Sequence, residues 1–202
     1  MQAQPALIAS GYQVSIVNYS NAESLQFALR GIDTVISTVT GPNQIELIRA
    51  AVATRVRRFA PAEFEGLPQL RSANDPLDRG RSLAQQWLSY YSRSIESTTF
   101  VCGVFYERFQ PGGLIQSGIG ATSGFSGEGD YIMNCRRMYA QAPIFDSNST
   151  DNVTICLTSV HDVARLVTKA IDLRQWPEVL RMRGERIRVK DLVELVQRLK
   201  GK

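Results

Sequence analysis

The stretch that most constrains this chain runs from Gly31 to Gly66, GIDTVISTVTGPNQIELIRAAVATRVRRFAPAEFEG. Thr34 to Val39 is an apolar, β-branched run too short for a helix, which predicts a buried strand. Thr40-Gly41-Pro42 breaks it, because glycine permits unusual dihedrals and proline lacks an N–H donor. Ile45, Ile48 and Val52, with Leu47 and Ala51 beside them, then recur at helical spacing, so a helix is expected from Gln44 to Ala53. Val56 to Phe59 is a second short strand, ended by Pro61. Strand, helix and strand in this order make a right-handed βαβ crossover with parallel strands. Parallel sheets place ligands beyond the C-terminal ends of their strands, so Thr38 to Gln44 is the first place to look for a site.

The flanking sequence extends the alternation. Pro5 to Ser10 reads as a helix end closed by Gly11, and Tyr12 to Val17 as a strand. Ser20-x-x-Glu23 has the capping-box pattern for a helix whose apolar face is Leu25, Ala28 and Leu29. Leu67 to Pro76 reads as a loop, and the next helix buries Leu83, Trp87 and either Leu88 or Tyr91. Thr98 to Val104 is a strand, and Gly112 to Gly129 an irregular glycine-rich segment. Val153 to Leu157 alternates as a strand, and Ser159-x-x-Asp162 caps a helix with Val163, Val167, Ala170 and Ile171 on one face. Leu180 to Met182 is a short strand, and Leu192, Leu195, Val196 and Leu199 mark a terminal amphipathic helix. The alternation predicts an α/β doubly wound parallel sheet.

Several of these segments resemble one family. GIDTVIS, Gln44, Val56-Arg57-Arg58-Phe59 and Pro61-Ala62-Glu63-Phe64 are similar to G-x-D-x-V-I-S, the helix-opening Gln and V-K-R-F-x-P-S-E-F of the NmrA-like and isoflavone-reductase-like short-chain dehydrogenases. Ala62 stands where that family has Ser. Asn18 to Leu25 resembles its D-x-x-D-x-x-S-L, and Cys102 to Phe109 and Thr158 to Arg165 resemble later segments of its fungal members. The resemblance covers nearly the whole chain. It implies a Rossmann-like NAD(P)-binding domain over residues 1–110, with a substrate lobe and C-terminal helices over 111–202 packed on it. It also implies NADP as cofactor and a small aromatic or secondary metabolite as substrate.

One part of that pattern is missing. The glycine fingerprint of a dinucleotide-binding fold lies in the first strand-to-helix turn, where backbone N–H groups approach the pyrophosphate. No G-x-G-x-x-G occurs in that context here; Gly118, Gly120 and Gly124 to Gly129 come too late. The resemblance aligns Tyr12 to Val17 with the family's third strand, so its first two strands are expected to be absent, through truncation or rearrangement. Cofactor contacts would then come from Thr38, Val39, Gly41, Gln44, Pro61 and Phe64 alone, and NADP binding is expected to be weak.

For chemistry, the Tyr-x-x-x-Lys pair of ordinary short-chain dehydrogenases is absent at Tyr90 and Tyr91. The isoflavone-reductase-like group tends to have a Lys where this chain reads Asp78-Arg79-Gly80-Arg81. Arg79 is the nearest match and Arg81 the next. An arginine stays protonated, so it can hold an anion or stabilise an oxyanion but cannot shuttle a proton; a surface ion pair with Asp75 or Asp78 is the plainer role. Glu63 follows a strand end on the expected ligand side and is a candidate catalytic carboxylate, against orienting a neighbour or holding its loop. Tyr106 is the candidate proton donor to a substrate carbonyl, against packing as an aromatic at the lobe junction. His161, the one histidine, falls in a helix cap and has no ligand or triad partner.

The composition narrows the rest. Apolar residues at 44% and charged residues at 21% suit a globular protein with a core. There is no apolar run long enough to span a membrane, and the start of the chain lacks the pattern of a signal peptide, so a cytoplasmic protein is expected. Cys102, Cys135 and Cys156 are too few and too dispersed for zinc or a disulfide framework and read as reduced, buried thiols. The net charge of +4 is concentrated after Arg181, without interleaved aromatics, and argues for a solvated helix face over nucleic-acid binding. The expected partners are a small-molecule substrate and, as an option, a second copy. Three functions stay open: an NADPH-dependent reductase, a cofactor-independent isomerase or cyclase, and a dinucleotide-sensing regulatory protein.

Overall fold

The computed structural model describes residues 5–72, 75, 78–120 and 124–201. In chain order the elements are α1 (Pro5–Ala9), α2 (Ala22–Ala28), β1 (Thr34–Ile36), α3 (Pro42–Ala53), β2 (Arg58–Ala60), α4 (Arg81–Tyr90), β3 (Glu96–Ser97), β4 (Thr99–Val101) and β5 (Val104–Phe105). They continue with β6 (Met133–Asn134), β7 (Tyr139–Ala140), β8 (Thr154–Thr158), α5 (Val160–Ile171), β9 (Val179–Arg181), β10 (Glu185–Arg188) and α6 (Val189–Leu199). They form two compact units. The first comprises residues 1–63, 67–99 and 174–180; the second comprises 64–66, 100–173 and 181–202.

The first unit is built on the expected crossover. β1 and β2 pair in parallel, Thr34 opposite Arg58 and Ile36 opposite Ala60, and β3 pairs in parallel with the far side of β2. As the central strand, β2 is buried at every residue. β1 ends at Ile36 rather than Val39, β2 pairing begins at Arg58 rather than Val56, and β3 is a strand the sequence did not lead one to expect. Between β1 and β2, α3 buries Ile45, Ile48 and Ala51, joined in one core by Leu25, Leu29, Val56, Phe59, Ala84, Leu88 and Ile95. Each large side chain of this kind contributes about 1.5–3 kcal/mol on burial. At the entrance to the sheet, Arg57 grips Asp33 with two hydrogen bonds of 2.7 and 2.8 Å. The Arg57 guanidinium holds the Asp33 carboxyl down at about 2.

A second arrangement completes this unit from a distant part of the chain. Arg58 is fully buried, and its guanidinium donates to Glu96 Oε2 at 2.6 Å and to the carbonyl of Arg174 at 2.8 Å. Its Cζ lies 5.2 Å from the centre of the Trp176 ring, and the Trp176 N–H donates to Glu96 Oε1. The returning segment 174–180 is thus clamped beside β3, and Thr99 N–H donates to the Glu178 carbonyl.

Four expectations need correction in the first unit. Tyr12 to Val17 is not a strand; no described residue pairs with it, and without a ladder Tyr12 and Ile16 remain 65% and 59% exposed. The cap of α2 is Asn21, whose side chain accepts from Ser24 N–H, and not Ser20, whose N–H is taken by Asn18. In α4 the buried residues are Arg81, Ala84 and Leu88, while Leu83 faces out, because the inward stripe runs through positions 81, 84 and 88. Within the loop at 67–76, residues 68–70 form one 3-10 turn, and 73, 74 and 76 lie outside the described residues.

In the second unit β8 is flanked by β5, in parallel, and by β10, antiparallel. Met133, Leu157 and Leu192 form its core with Phe109, Ile155, Ile187 and Val196 packed around them. The expected strand from Thr98 to Val104 is interrupted at Cys102-Gly103. Gly103 has φ +73 and approaches β8 so closely that an added Cβ would lie 2.3 Å from the Cys156 carbonyl oxygen. Ser159 caps α5 as expected, but a second cap comes from Glu107, whose carboxylate accepts from Ser159 Oγ–H and Val160 N–H. Asp162, expected in that cap, instead pairs with Arg165. The Gly112–Gly129 segment holds one 3-10 helix at 113–117, and 121–123 lie outside the described residues. Burial drives the Cys102 thiol up to about 12, so it is a core residue and no nucleophile.

Candidate functional site

The candidate site of the first unit lies at the C-terminal ends of β1 and β2. Past β1, Ser37 N–H still bonds Ala60, and its hydroxyl turns back to the Val39 carbonyl at 3.2 Å, closing the chain into a tight turn. Thr38 is exposed at the tip and Val39 half-buried. Gly41 then starts α3 with φ +70 and ψ −152, a conformation that only glycine adopts freely. Pro42, which has no N–H to lose, follows as the first helical residue.

Gln44 and the segment after β2 are locked together. Gln44 is fully buried, and its Oε1 accepts from Ala62 N–H at 2.7 Å. Its Nε2 has no hydrogen-bond partner among the described residues. Pro61 is buried between β2 and this contact, and the Pro61 carbonyl accepts from Glu63 N–H. The Gln that opens the helix therefore acts first as a brace for the Pro61–Glu63 turn.

Glu63 is also fully buried, and the residue that makes this tolerable escaped the sequence reading. Arg71, whose side chain is 8% exposed, meets both Glu63 oxygens at 2.5 and 3.1 Å. It reaches Asp78 at 3.3 Å and Asp75 at 3.8 Å. Asp78 in turn accepts from Gly80 N–H and from the N–H and hydroxyl of Ser82, and so organises the start of α4. Against the upward pull of burial, the Ser82 hydrogen bonds and Arg71 hold its carboxyl below the usual range. Through Arg71, Glu63 is tied to the chain that follows it and to the start of α4.

Arg79 adopts φ +47 immediately before Gly80, the N-cap of α4. Gly80 presses on the first turn: a Cβ there would lie 3.1 Å from the Gly41 Cα. The starts of α3 and α4 therefore meet through two glycines, with the Arg79 carbonyl 3.8 Å from where a Gly41 Cβ would stand. Among the candidate residues of the first unit, Gly41, Gln44, Pro61 and Glu63 are joined by these contacts, with Arg79 beside them. This unit contains no lysine, since the first in the chain is Lys169.

Phe64 and Tyr106 belong to the second unit. Phe64 stacks on Phe100 with ring centres 5.9 Å apart. Tyr106 is 36% exposed, and its hydroxyl donates to Glu185 Oε2 at 3.4 Å. Burial, followed by the Glu185 carboxylate, pushes the phenol above its ordinary value, so it stays neutral through physiological pH. It can donate a hydrogen bond, but the charge beside it is the Glu185 carboxylate, which makes it a poorer acid. His161 is exposed on α5. Among the described residues no group of three or more His, Cys, Asp and Glu could hold a metal, and no helix is long and apolar enough to cross a membrane.

No protein-family model matches the sequence, and no curated protein matches it. Solved structures do match the fold. A leucoanthocyanidin reductase from Vitis vinifera, in binary complex with NADPH, shares 19% identity at a TM-score of 0.68, with 98% of this chain and 61% of that one covered. An isoflavone reductase gives 16% identity, a TM-score of 0.66, and coverage of 98% and 61%. A nucleoside-diphosphate-sugar epimerase from Staphylococcus aureus gives 17%, 0.64, and coverage of 100% and 65%. The chain therefore has the Rossmann-like α/β fold that reductases and epimerases share, and it spans about three fifths of the length of these structures.

The residues present fit a dinucleotide in part. Thr38 is exposed and Val39 to Gly41 are half-buried, and the buried Gln44 Nε2 is a donor without a partner among the described residues. The 202 residues contain no glycine fingerprint to hold a pyrophosphate.

Proposed function

We propose that the chain descends from the isoflavone-reductase-like reductases, of the fungal type its motifs resemble, and that it binds the nicotinamide end of NADPH at the turn between β1 and α3. Its second ligand is a small aromatic or secondary metabolite. The observation that carries this reading is the near-complete coverage of the chain by the fold of a reductase solved with NADPH. When bound, the nicotinamide supplies a hydride. The chain's own part is positioning. Thr38 and the Val39–Gly41 backbone hold the carboxamide end, and Gln44 and Pro61 keep the turn rigid. Tyr106, kept neutral, donates a hydrogen bond to a carbonyl oxygen, and Phe64 supplies an aromatic surface in the same unit. Arg79 holds an anionic group and cannot relay a proton.

A second reading, a ligand-binding protein without turnover, is favoured by the upward shift of the Tyr106 phenol and by the arginines at 79 and 81 in place of a lysine. One titration separates the two. NADPH added to the purified 202-residue chain is expected to move the backbone amides of Thr38 to Gly41 with a dissociation constant in the millimolar range or worse. Each missing charge-assisted contact removes about 1.5–3 kcal/mol. Consumption of NADPH at 340 nm with aromatic carbonyl substrates marks the reductase, and amide shifts without consumption mark the binder. No movement of these amides rejects the site. A micromolar constant means another loop, with Gly112–Gly129 the first candidate, holds the phosphates.

A further inference from the structure

The first unit contains a cleft of about 840 Å³ that shares only Pro61 with the candidate residues above. Leu88, Ile95, Trp176 and Val179 line part of it, and most of the remaining lining is polar or charged. One wall is the face of α4 that carries Gln85 and Ser89, one helical turn apart. Ser97 and Thr99 also line it, two residues apart and so on one face of the extended chain. Gln85 Nε2 donates to Thr99 Oγ1 at 2.8 Å and ties the two stretches together. A further protein segment laid over such a surface would bury hydroxyls and amides without partners, at a cost per group that natural interiors avoid. The lining suits a ligand with many hydroxyls of its own.

The charges add a second requirement. Arg57 is matched by Asp33, and Glu96 by Arg58. Arg55, Arg93 and Glu178 also line the cleft, and among the described residues none has an ion-pair partner, which leaves one net positive charge. Arg55 is unusual in its own right. It closes α3 at the position after the C-cap, with φ +61, where Val56 N–H reaches back to the Ala51 carbonyl at 2.9 Å. Glycine fills that position at least conformational cost, and an arginine there places a guanidinium at the cleft instead.

We propose that this cleft binds a polyhydroxylated small molecule carrying an anionic group, a sugar phosphate or a sugar acid. Gln85, Ser89 and Ser97 pair with its hydroxyls, and Arg55 and Arg93 take the anion. The test is an amide-resolved titration of the whole chain with glucose 6-phosphate, gluconate, glucose and inorganic phosphate. Glucose 6-phosphate or gluconate should move the amides of Ser89, Arg93 and Thr99 saturably below about 10 mM, and glucose or phosphate alone should bind at least ~10-fold more weakly. Saturation by the first marks a sugar-phosphate site, and by gluconate alone a sugar-acid site. Arg55→Gly, which suits the left-handed backbone, and Arg93→Gln should each weaken binding about 10-fold without lowering the melting temperature. The proposal is overturned if neither anionic sugar saturates, if inorganic phosphate alone binds as tightly, or if the doubly substituted chain binds unchanged. The NADPH shifts at Thr38 to Gly41 are read from separate amides, so either result stands without the other.

Discussion

Replacing Arg71 with methionine should unfold the first unit far more readily than any surface substitution. The methionine keeps most of the buried volume but removes the cation that contacts both oxygens of Glu63, a side chain with no exposure at all. Breaking a buried pair from one side leaves an uncompensated charge and costs about 3–5 kcal/mol, a large share of the ~5–15 kcal/mol that holds a domain together. Glu63→Gln combined with Arg71→Met leaves no fully buried charge stranded, since Asp75 and Asp78 are partly exposed, and should recover at least ~2 kcal/mol. The assay is urea unfolding at pH 7 followed by tryptophan fluorescence. Both tryptophans, Trp87 and Trp176, lie in the first unit, so the signal reports on it alone. A loss below ~1 kcal/mol for Arg71→Met, the size expected of an exposed pair, would refute the reasoning, as would a double variant no more stable than the single.

Gly103→Ala should cost about 2–4 kcal/mol, because a Cβ 2.3 Å from the Cys156 carbonyl forces two strands apart at a positive φ; an unchanged melting temperature would mean the backbone yields freely. Cys102 should resist alkylation at pH 8 in the native state and react once urea unfolds the chain. Its folded value of about 12 lies above the unfolded 9.0, so its contribution is complete below pH 9 and is lost as pH rises toward 12, by up to a few kcal/mol; a urea midpoint with the same pH profile in Cys102→Ala would contradict this. With an identified carbonyl substrate, Tyr106→Phe should slow turnover by roughly two to four orders of magnitude, and the parent rate should show no ionisation of Tyr106 below pH 10 because its phenol is shifted upward. An unchanged rate would return Tyr106 to packing.

What could be read from the sequence was whatever local pattern determines. The βαβ unit was legible because periodicity changes from strand to helix and back within 30 residues, and Gly41-Pro42 punctuates the change. The cap at Ser159 was legible for the same local reason. Tyr12 to Val17 has a strand's alternation, yet strands exist only as pairs, and pairing is a property of distant chain. The opposite holds for Glu185 to Arg188, charged at three of four positions, which is a strand only because β8 lies beside it. At the site, Gly41, Gln44 and Glu63 were marked by their place after strand ends. Arg71 carried no such mark; it sits in a loop without periodicity, and its meaning lies in a carboxylate eight residues away. Glu107 serves a helix more than fifty residues later, and no local pattern records that either.

The clamp around Arg58 has a consequence for how the protein is made. The guanidinium in β2 is completed by the Arg174 carbonyl and the Trp176 ring, and both are synthesised long after the strands they stabilise. A ribosome adding 5–20 residues per second needs roughly 4–16 s to cover the interval between β3 and that segment. Throughout it the nascent first unit carries the Arg58 cation, held by Glu96, without the Arg174 carbonyl and the Trp176 ring. A fragment ending near residue 110 would stay in that state permanently. This polypeptide is therefore expected to depend on chaperones during the interval, and its two units should not be separable by cutting the chain once.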